Sequence, residues 1–285
     1  MRRNRGSRCL FGMILFLLGT AVVLNAQTPE PSPTPSLEHE FVKNILRDQK
    51  TIWTAPAHLE RSDAKWVVPS AIGLMALFTT DRITGDEIFE ANRQVGASRA
   101  ISYAGSIYGL GAVATTFYLV GRKNNDYRAR ETGLLSAEAL IDGTITAGAL
   151  KVITQRARPA DGVERSEFFD GGSSFPSGHS TQAWAVATVI ASEYKHRRVV
   201  QVAAYGVASA VSVARFTGQK HYLSDVVAGS ALGFAIGKFV YKSHHRESVD
   251  SEGNDGPTSK SAWPLITPEF NRPARQYGIG VTWNF

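Results

Sequence analysis

The segment SSFPSGHS, residues 173–180, places a proline, a glycine and a histidine directly before a long apolar run. Pro176 suits the first position of a helix, where its missing N–H has no partner to lose. Phe175 would then stand at the cap and leave the amides of the first turn, including those of Ser177 and Gly178, open to an anion. Such a start is also common as a plain turn, so the prediction of an anion site needs support from elsewhere.

A second segment, KVITQRARP, carries three basic residues before a proline. Lys151 and Arg158 are seven residues apart, which returns them to nearly the same face of a helix. Two cations on one face suit a doubly charged anion, and arginine can bind it through two N–H groups. Arg156 points elsewhere, so we expect it to be solvated. Alone, this segment would be a solvated basic helix end favoured by the helix dipole.

The third segment runs from Arg215 to Asp225 and contains a histidine. Gly218 interrupts the chain, after which His221 and Asp225 are four residues apart and therefore neighbours on one helix face. A carboxylate bonded to one ring nitrogen fixes the tautomer and leaves the other nitrogen free to attack an electrophile. Such a pair is by itself more often structural, but here it follows an arginine in a chain that already offers other cations.

Together these segments resemble the type 2 phosphatidic acid phosphatase (PAP2) superfamily, which also contains bacterial non-specific acid phosphatases and vanadium haloperoxidases. The pattern is K-x6-RP, then PSGH, then SR-x5-H-x3-D, and it is matched by Lys151–Pro159, Pro176–His179 and Arg215–Asp225. The resemblance covers roughly residues 66–241. One departure is Ala214, where the family usually has a serine that supports the following arginine.

The resemblance implies a phosphatase that acts on phosphate monoesters through a phosphohistidine. His221 would attack phosphorus, Asp225 would orient it, and His179 would protonate the leaving group and later activate water. The groups that would bind the phosphate oxygens are Lys151, Arg158, Ser177, Gly178 and Arg215. The resemblance implies no metal and no cofactor, although vanadate would imitate the transition state and would be the cofactor of a haloperoxidase.

The pattern of apolar segments predicts an all-α helical bundle, which is also the fold that the resemblance implies. The tail RQYGIGVTWNF alternates apolar and small or polar residues and predicts a short C-terminal strand. Glu138 and Asp142 lie off the face of Lys151, so we expect partnered core carboxylates. The histidines outside the motifs are expected at the surface: His39, His58, His196, His244 and His245. The apolar segments are 66–80, 100–121, 133–153, 177–194, 199–215 and 221–241.

The two ends of the chain differ from this core. Residues 1–26 carry four arginines before an apolar run and predict a signal peptide, with an uncleaved anchor as the alternative. Residues 27–36 predict a proline-rich linker, residues 37–65 a helical extension, and residues 242–285 a flexible linker and tail. The signal would remove four of the 31 basic residues and none of the 25 acidic ones, so net charge gives no reason to expect nucleic acid.

Location and substrate stay open at this stage. The segment 66–80 is short for a bilayer, and Glu138 and Asp142 are costly in lipid, which favours a soluble periplasmic or secreted bundle. An inner-membrane lipid phosphate phosphatase with its site facing the periplasm is the main alternative. The others are a vanadate-dependent haloperoxidase and a non-catalytic envelope protein that binds phosphorylated ligands. We expect a phosphorylated small molecule or lipid as substrate.

Overall fold

A computed structural model describes residues 37–89, 98, 101–103, 105–159, 167–245, 265–271 and 276–282. The predicted signal peptide and proline-rich linker lie outside these residues. The chain divides into two compact units, the first ending at His245 and the second beginning at Arg246.

The first unit is a bundle of helices, which confirms the predicted all-α core. A short 3₁₀ helix, Ala55–His58, follows the first of them. The seven long helices in the described part of this unit are α1 (Leu37–Thr54), α2 (Ala64–Phe89), α3 (Ile107–Asn124), α4 (Tyr127–Thr154), α5 (Gly178–Glu193), α6 (Arg198–Thr217) and α7 (Leu223–His244).

Local sequence signals set several helix ends. The Ser106 hydroxyl accepts a hydrogen bond from the amide of Gly109 at 3.4 Å and caps α3, and the Asp126 carboxylate caps α4 in the same way. Both helices end at a residue with positive φ, Asn125 at 54° and Gln155 at 45°. The end of α4 at Gln155 matters most, because it turns the following residues back towards α7.

Helix α5 lies at the centre of the bundle and packs against α4, α6 and α7. Small residues allow its close approach to α7. A Cβ added at Gly233 would lie 2.1 Å from the carbonyl oxygen of Thr181, and one at Gly237 would lie 2.4 Å from that of Ala185. Around this contact the core is aliphatic, with Leu135, Ala139, Ala185, Val189, Ile236 and Val240 in one cluster.

Helix α1 turns polar residues inward. Asn44 donates to Glu138 at 3.0 Å and Gln49 donates to Asp142 at 2.8 Å, so the two core carboxylates are partnered as expected. His244 Nε2 lies 2.8 Å from Asp48, which itself is only 2 % exposed. The prediction of a surface histidine at His244 was wrong, because α1 brings a buried carboxylate to it.

Several helices expose apolar side chains to the outside of the bundle. Val42 and Leu46 on α1 are 68 % and 67 % exposed, and Val199 and Val202 on α6 are 80 % and 73 % exposed. Within the described part of the chain, α6 and α7 are long and apolar enough to cross a membrane, judged by length and composition. Helix α2 is also longer than the predicted segment 66–80.

The second unit contains a two-stranded antiparallel hairpin. Strand β1 (Leu265–Asn271) pairs with β2 (Gln276–Thr282), with Leu265 opposite Thr282 and Asn271 opposite Gln276. The predicted C-terminal strand is therefore present, and its partner is a preceding segment for which we predicted no strand. Residues 246–264 of the predicted linker lie outside the described residues.

Candidate active site

Three connections bring the sequence motifs together. They are the end of α4 with the segment after it, the start of α5, and the turn between α6 and α7. The backbone joins them directly, since the amide of Ser177 donates to the carbonyl of Asp225 at 3.0 Å, and the amide of Ser174 donates to the carbonyl of Arg156 at 2.8 Å. Residues far apart in the sequence thus surround one point.

The start of α5 differs in detail from the prediction. Ser177, rather than Phe175, is the N-cap residue, and Pro176 precedes the helix instead of opening it. The cap makes no side-chain hydrogen bond to the first turn. The Ser177 hydroxyl accepts from that of Ser180 at 3.1 Å. The amides of the first turn, beginning with Gly178, therefore still present the positive end of the helix without a capping side chain.

The His221 ring is buried, with 2 % of its surface exposed. Its Nδ1 lies 2.8 Å from the carbonyl oxygen of Ser174 and 3.8 Å from the nearer carboxylate oxygen of Asp225. A carbonyl only accepts hydrogen bonds, so Nδ1 carries the proton and Nε2 keeps its lone pair. Burial lowers the pKa of His221 to about 4, against the opposing effect of Asp225.

Asp225 is fully buried, and both of its carboxylate oxygens accept hydrogen bonds. One carboxylate oxygen accepts from Arg156 at 2.6 Å. The other accepts from the hydroxyl of Ser174 at 2.5 Å and from the amide of Tyr222 at 2.9 Å. The expected direct hydrogen bond to His221 is replaced by contact through Ser174, which touches both side chains. Asp225 therefore orients His221 mainly by fixing Ser174.

Lys151 and Arg158 lie together as predicted, although the helix ends at Thr154, so the chain after the helix and not a shared helix face brings Arg158 there. Lys151 donates to the carbonyl of Ser173 at 2.6 Å, and Arg158 donates to the hydroxyl of the same residue at 3.1 Å. Burial lowers the pKa of Lys151 to about 8, and repulsion by Arg158 and Arg215 acts in the same direction while Asp225 opposes it. Like charges held this close indicate a site prepared for an anion.

Arg215 and His179 complete the ring of polar groups. Among the residues that the structure describes, the buried Nε of Arg215 has no hydrogen-bond partner. The neighbouring Ala214 has no hydroxyl to offer it, in line with the departure from the family pattern. Burial lowers the pKa of His179 to about 4, and the charges of Arg215 and Lys151 add to the effect. The structure thus brings the predicted site residues together, but the expectation that the Ser177 amide is open to an anion was wrong, because that amide donates to the carbonyl of Asp225.

Arg156 is the residue that sequence reasoning missed. It is 1 % exposed, not solvated, and it forms ion pairs with Asp81 at 2.7 Å and with Asp225 at 2.6 Å. The chain leaves the helix after Thr154, so the angular rule for helix faces does not apply to Arg156. The one available signal was its place between two motif residues; nothing in the sequence pointed to Asp81.

A second polar cluster lies at the other end of α5. His245 Nδ1 is 3.1 Å from Glu193 and 3.4 Å from Glu131, and within the described ranges these three form the one group of histidine, cysteine or acidic residues that could reach a common metal ion. Burial raises the pKa of Glu193 to about 8. Ion pairing accounts for the cluster, and the expected surface position of His245 was wrong.

Residues 132–248 match the family model described as the PAP2 superfamily. The matched range contains the three motifs and the residues that meet in space. The chain is thus similar to the PAP2 superfamily over this range. The helices α1, α2 and α3 precede the matched range, and Asp81 on α2 reaches into the site that it contains.

Two curated relatives of this chain have names that state an activity. The chain is 38 % identical over 104 residues to a lipid A 1-phosphatase of Porphyromonas gingivalis, covering 36 % of this chain and 21 % of the relative. It is 28 % identical over 144 residues to a PA-phosphatase related-family protein of Dictyostelium discoideum, covering 44 % and 52 %. The chain thus spans about a fifth and about half of these relatives.

One similar solved structure is the first transmembrane PAP2 type phosphatidylglycerolphosphate phosphatase from Bacillus subtilis. It is 21 % identical to this chain, with a TM-score of 0.46, and the match covers 74 % of this chain and 99 % of that one.

Proposed function

We propose that this protein is a phosphatase that hydrolyses a phosphate monoester of a lipid through a phosphohistidine on His221. The observation that carries the proposal is the tautomer of this residue. The Ser174 carbonyl accepts a hydrogen bond from Nδ1–H at 2.8 Å, which leaves the Nε2 lone pair as the nucleophile. Because the pKa of His221 is about 4, the ring is neutral and reactive at neutral pH.

The chemistry proceeds in two steps. Nε2 of His221 forms a bond to phosphorus while the bond from phosphorus to the leaving oxygen breaks, and that oxygen takes a proton from His179. A water oxygen then forms a bond to phosphorus and gives a proton to His179, while the bond from Nε2 to phosphorus breaks. This step releases phosphate and returns the lone pair to Nε2 of His221. Lys151, Arg158 and Arg215 stabilise the charge on the equatorial oxygens, so the reaction needs no metal.

His179 must gain a proton before it can act as the acid. In the free protein its pKa of about 4 reflects burial and the neighbouring cations. A phosphate dianion bound among Lys151, Arg158 and Arg215 offsets these charges and raises the pKa of His179 again. Substrate binding therefore prepares the acid, and the free site keeps His179 neutral.

A lipid substrate is supported by the relatives and by the surface. The two curated relatives carry the names lipid A 1-phosphatase and PA-phosphatase related protein. Helix α6 exposes Val199, Val202 and Val213, the last at 58 %. Contiguous apolar surface of this kind is typical of a membrane contact. We therefore propose that the protein associates with a membrane. The signal-like sequence of residues 1–26 supports a site outside the cytoplasm.

The test is phosphate release by the purified protein in EDTA, with phosphatidic acid in mixed micelles, lipid A, and an aryl phosphate as parallel substrates. We expect faster release from the lipids than from the aryl ester. His221→Ala should abolish release from all of them. His179→Ala should lose about 10²- to 10⁴-fold on the lipids and less on the aryl ester, whose leaving group needs little protonation.

Two results would overturn the proposal. Unchanged release by His221→Ala would remove the nucleophile, and release that appears only after a divalent metal is added would remove the metal-free mechanism. Faster release from the aryl ester than from either lipid would contradict the lipid substrate while leaving the phosphatase in place. Inhibition by vanadate should accompany activity, since vanadate adopts the five-coordinate geometry of the transition state.

A further inference from the structure

The side chain of Arg156 is buried among aromatic rings. Its guanidinium carbon lies 5.0 Å from the ring centres of Phe78 and Phe168 and 4.5 Å from that of Tyr222. A buried charge in such surroundings is destabilising unless it is paired with good geometry. Arg156 therefore has a defined orientation, set by the rings around it and by its partners.

Two carboxylates share this guanidinium. One terminal nitrogen donates to Asp81 at 2.7 Å, and the other donates to Asp225 at 2.6 Å and to the Ser224 hydroxyl at 2.7 Å. Asp81 in turn accepts from the amide of Ser224 at 3.1 Å and from its hydroxyl. Helix α2 is thus joined through Arg156 to the first turn of α7, and the planar fork of arginine fixes the relative positions of the carboxylates.

These contacts determine how Asp225 meets His221. The carboxylate oxygen of Asp225 that faces His221 already accepts from Ser174 and Tyr222, and Arg156 holds the other oxygen. The carboxylate therefore cannot rotate towards Nδ1, which stays 3.8 Å away. Without Arg156 the carboxylate could turn, and Nδ1 would exchange the Ser174 carbonyl for a charged partner.

We propose that Arg156, held from the opposite side by Asp81, is a positioning residue that fixes the Asp225 carboxylate so that the Ser174 carbonyl accepts the hydrogen bond from Nδ1 of His221. Its effect on turnover rests on the proposed function. Its effect on the His221 ring does not, and the two can be measured separately.

The kinetic test is a double-mutant cycle with Arg156→Met and Asp225→Asn. Arg156→Met should lower kcat by about 100-fold, as misplacement of a reacting group does, with little change in KM because Arg156 is not a phosphate ligand. The double variant should be no slower than Asp225→Asn alone, since Arg156 acts through Asp225. Arg122→Met, on the exposed end of α3, is the matched control and should retain full activity. Losses that multiply in the double variant would overturn the proposal.

Two milder variants keep the test decisive if Arg156→Met does not fold. Arg156→Lys retains the charge without the fork, and Asp81→Asn retains the shape without the second carboxylate. Each should lower kcat with KM maintained, and Arg156→Lys should retain more activity than Arg156→Met. Full activity in both variants would contradict the positioning role.

The second readout is the ¹⁵N NMR spectrum of histidine-labelled protein without substrate. Wild type should keep His221 neutral and protonated at Nδ1 alone well into acidic solution, whereas Arg156→Met, or Asp81→Asn in its place, should take up the second ring proton at a higher pH, because a carboxylate that faces Nδ1 favours the charged ring. Identical His221 titrations in wild type and variant would overturn the proposal. If the titration changes but the wild type hydrolyses no phosphate ester, the proposed function fails and the positioning role stands.

Discussion

His221 is held by a backbone carbonyl and not directly by a carboxylate. A neutral acceptor at 2.8 Å fixes the ring without pulling its pKa upward, so the lone pair on Nε2 persists into acidic solution. Asp225 contributes by holding Ser174 in place. At this scale the site combines a neutral nucleophile with three fixed cations, Lys151, Arg158 and Arg215, which suits attack on a phosphate dianion.

The pH dependence of kcat/KM should report the charge of Lys151. Its pKa is lowered to about 8, so its charge is complete below that pH and is lost as the pH rises through it. We expect kcat/KM, which reports the free enzyme, to fall above about pH 8. Lys151→Arg should move this fall to higher pH, because arginine stays charged there.

The measurement is the pH profile of kcat/KM for wild type and Lys151→Arg on one soluble ester. The same alkaline fall in both proteins would assign it to another group. Arg122→Lys, away from the site, serves as the control and should reproduce the wild-type profile.

Residue types and spacing were sufficient to find the groups that surround the proposed phosphate site. Lys151, Arg158, His179 and His221 come together because each motif lies at or just beyond a helix end. Spacing could not find Arg156, since the chain leaves the helix at Gln155 with a positive φ. Its burial depends on Asp81, a contact across the bundle that no local pattern encodes.

At the scale of elements, the site depends on how closely α5 and α7 approach. Glycines on α7 lie directly against the backbone of α5, where a Cβ at Gly229 would lie 2.5 Å from the carbonyl oxygen of Ser177. The first turn of α5 is therefore set against the turn that carries His221. We expect any separation of the two helices to widen the proposed phosphate site.

Gly233→Ala tests this contact. The added methyl group would lie 2.1 Å from the Thr181 carbonyl oxygen, so we expect a loss of about 1–3 kcal/mol in stability and reduced phosphate affinity. Gly206→Ala on α6 is the matched control, because nothing lies within 4 Å of its added Cβ. The control should be neutral or slightly stabilising, since alanine favours helix.

Thermal unfolding midpoints and vanadate affinity, measured for both alanine variants in one detergent, check this expectation. Equal midpoints for Gly233→Ala and Gly206→Ala would show that α5 and α7 separate without strain.

The apolar segments predicted the helices but not their lengths. Helix α2 was expected over 66–80 and extends over Ala64–Phe89, because Asp81 interrupts the apolar run while its ion pair with Arg156 stabilises it inside the bundle. A charged residue in such a segment suggests a helix end when its partner is unknown. The strand β1 was missed for a similar reason, since pairing with β2 compensates for its mixed composition.

For the whole molecule, the exposed apolar side chains predict where the protein resides. Val199→Asn combined with Val202→Asn, at side chains 80 % and 73 % exposed, should weaken vesicle binding while activity on a soluble ester is retained. Lys195→Asn with Arg198→Asn, at the same end of α6, controls for changes in charge and polarity nearby. Flotation with phospholipid vesicles measures the effect, and unchanged binding by the valine variant would contradict a membrane contact through α6.

Asp81 also limits how this protein can be divided or recombined. A shortened protein that began at Thr132 would keep every motif residue, yet it would lose Asp81 and the Phe78 ring that enclose Arg156. A graft that moved the motifs onto another scaffold would need equivalents of both. The segment that can be transferred with its activity is therefore longer than residues 132–248, which carry the motifs, and it must include α2.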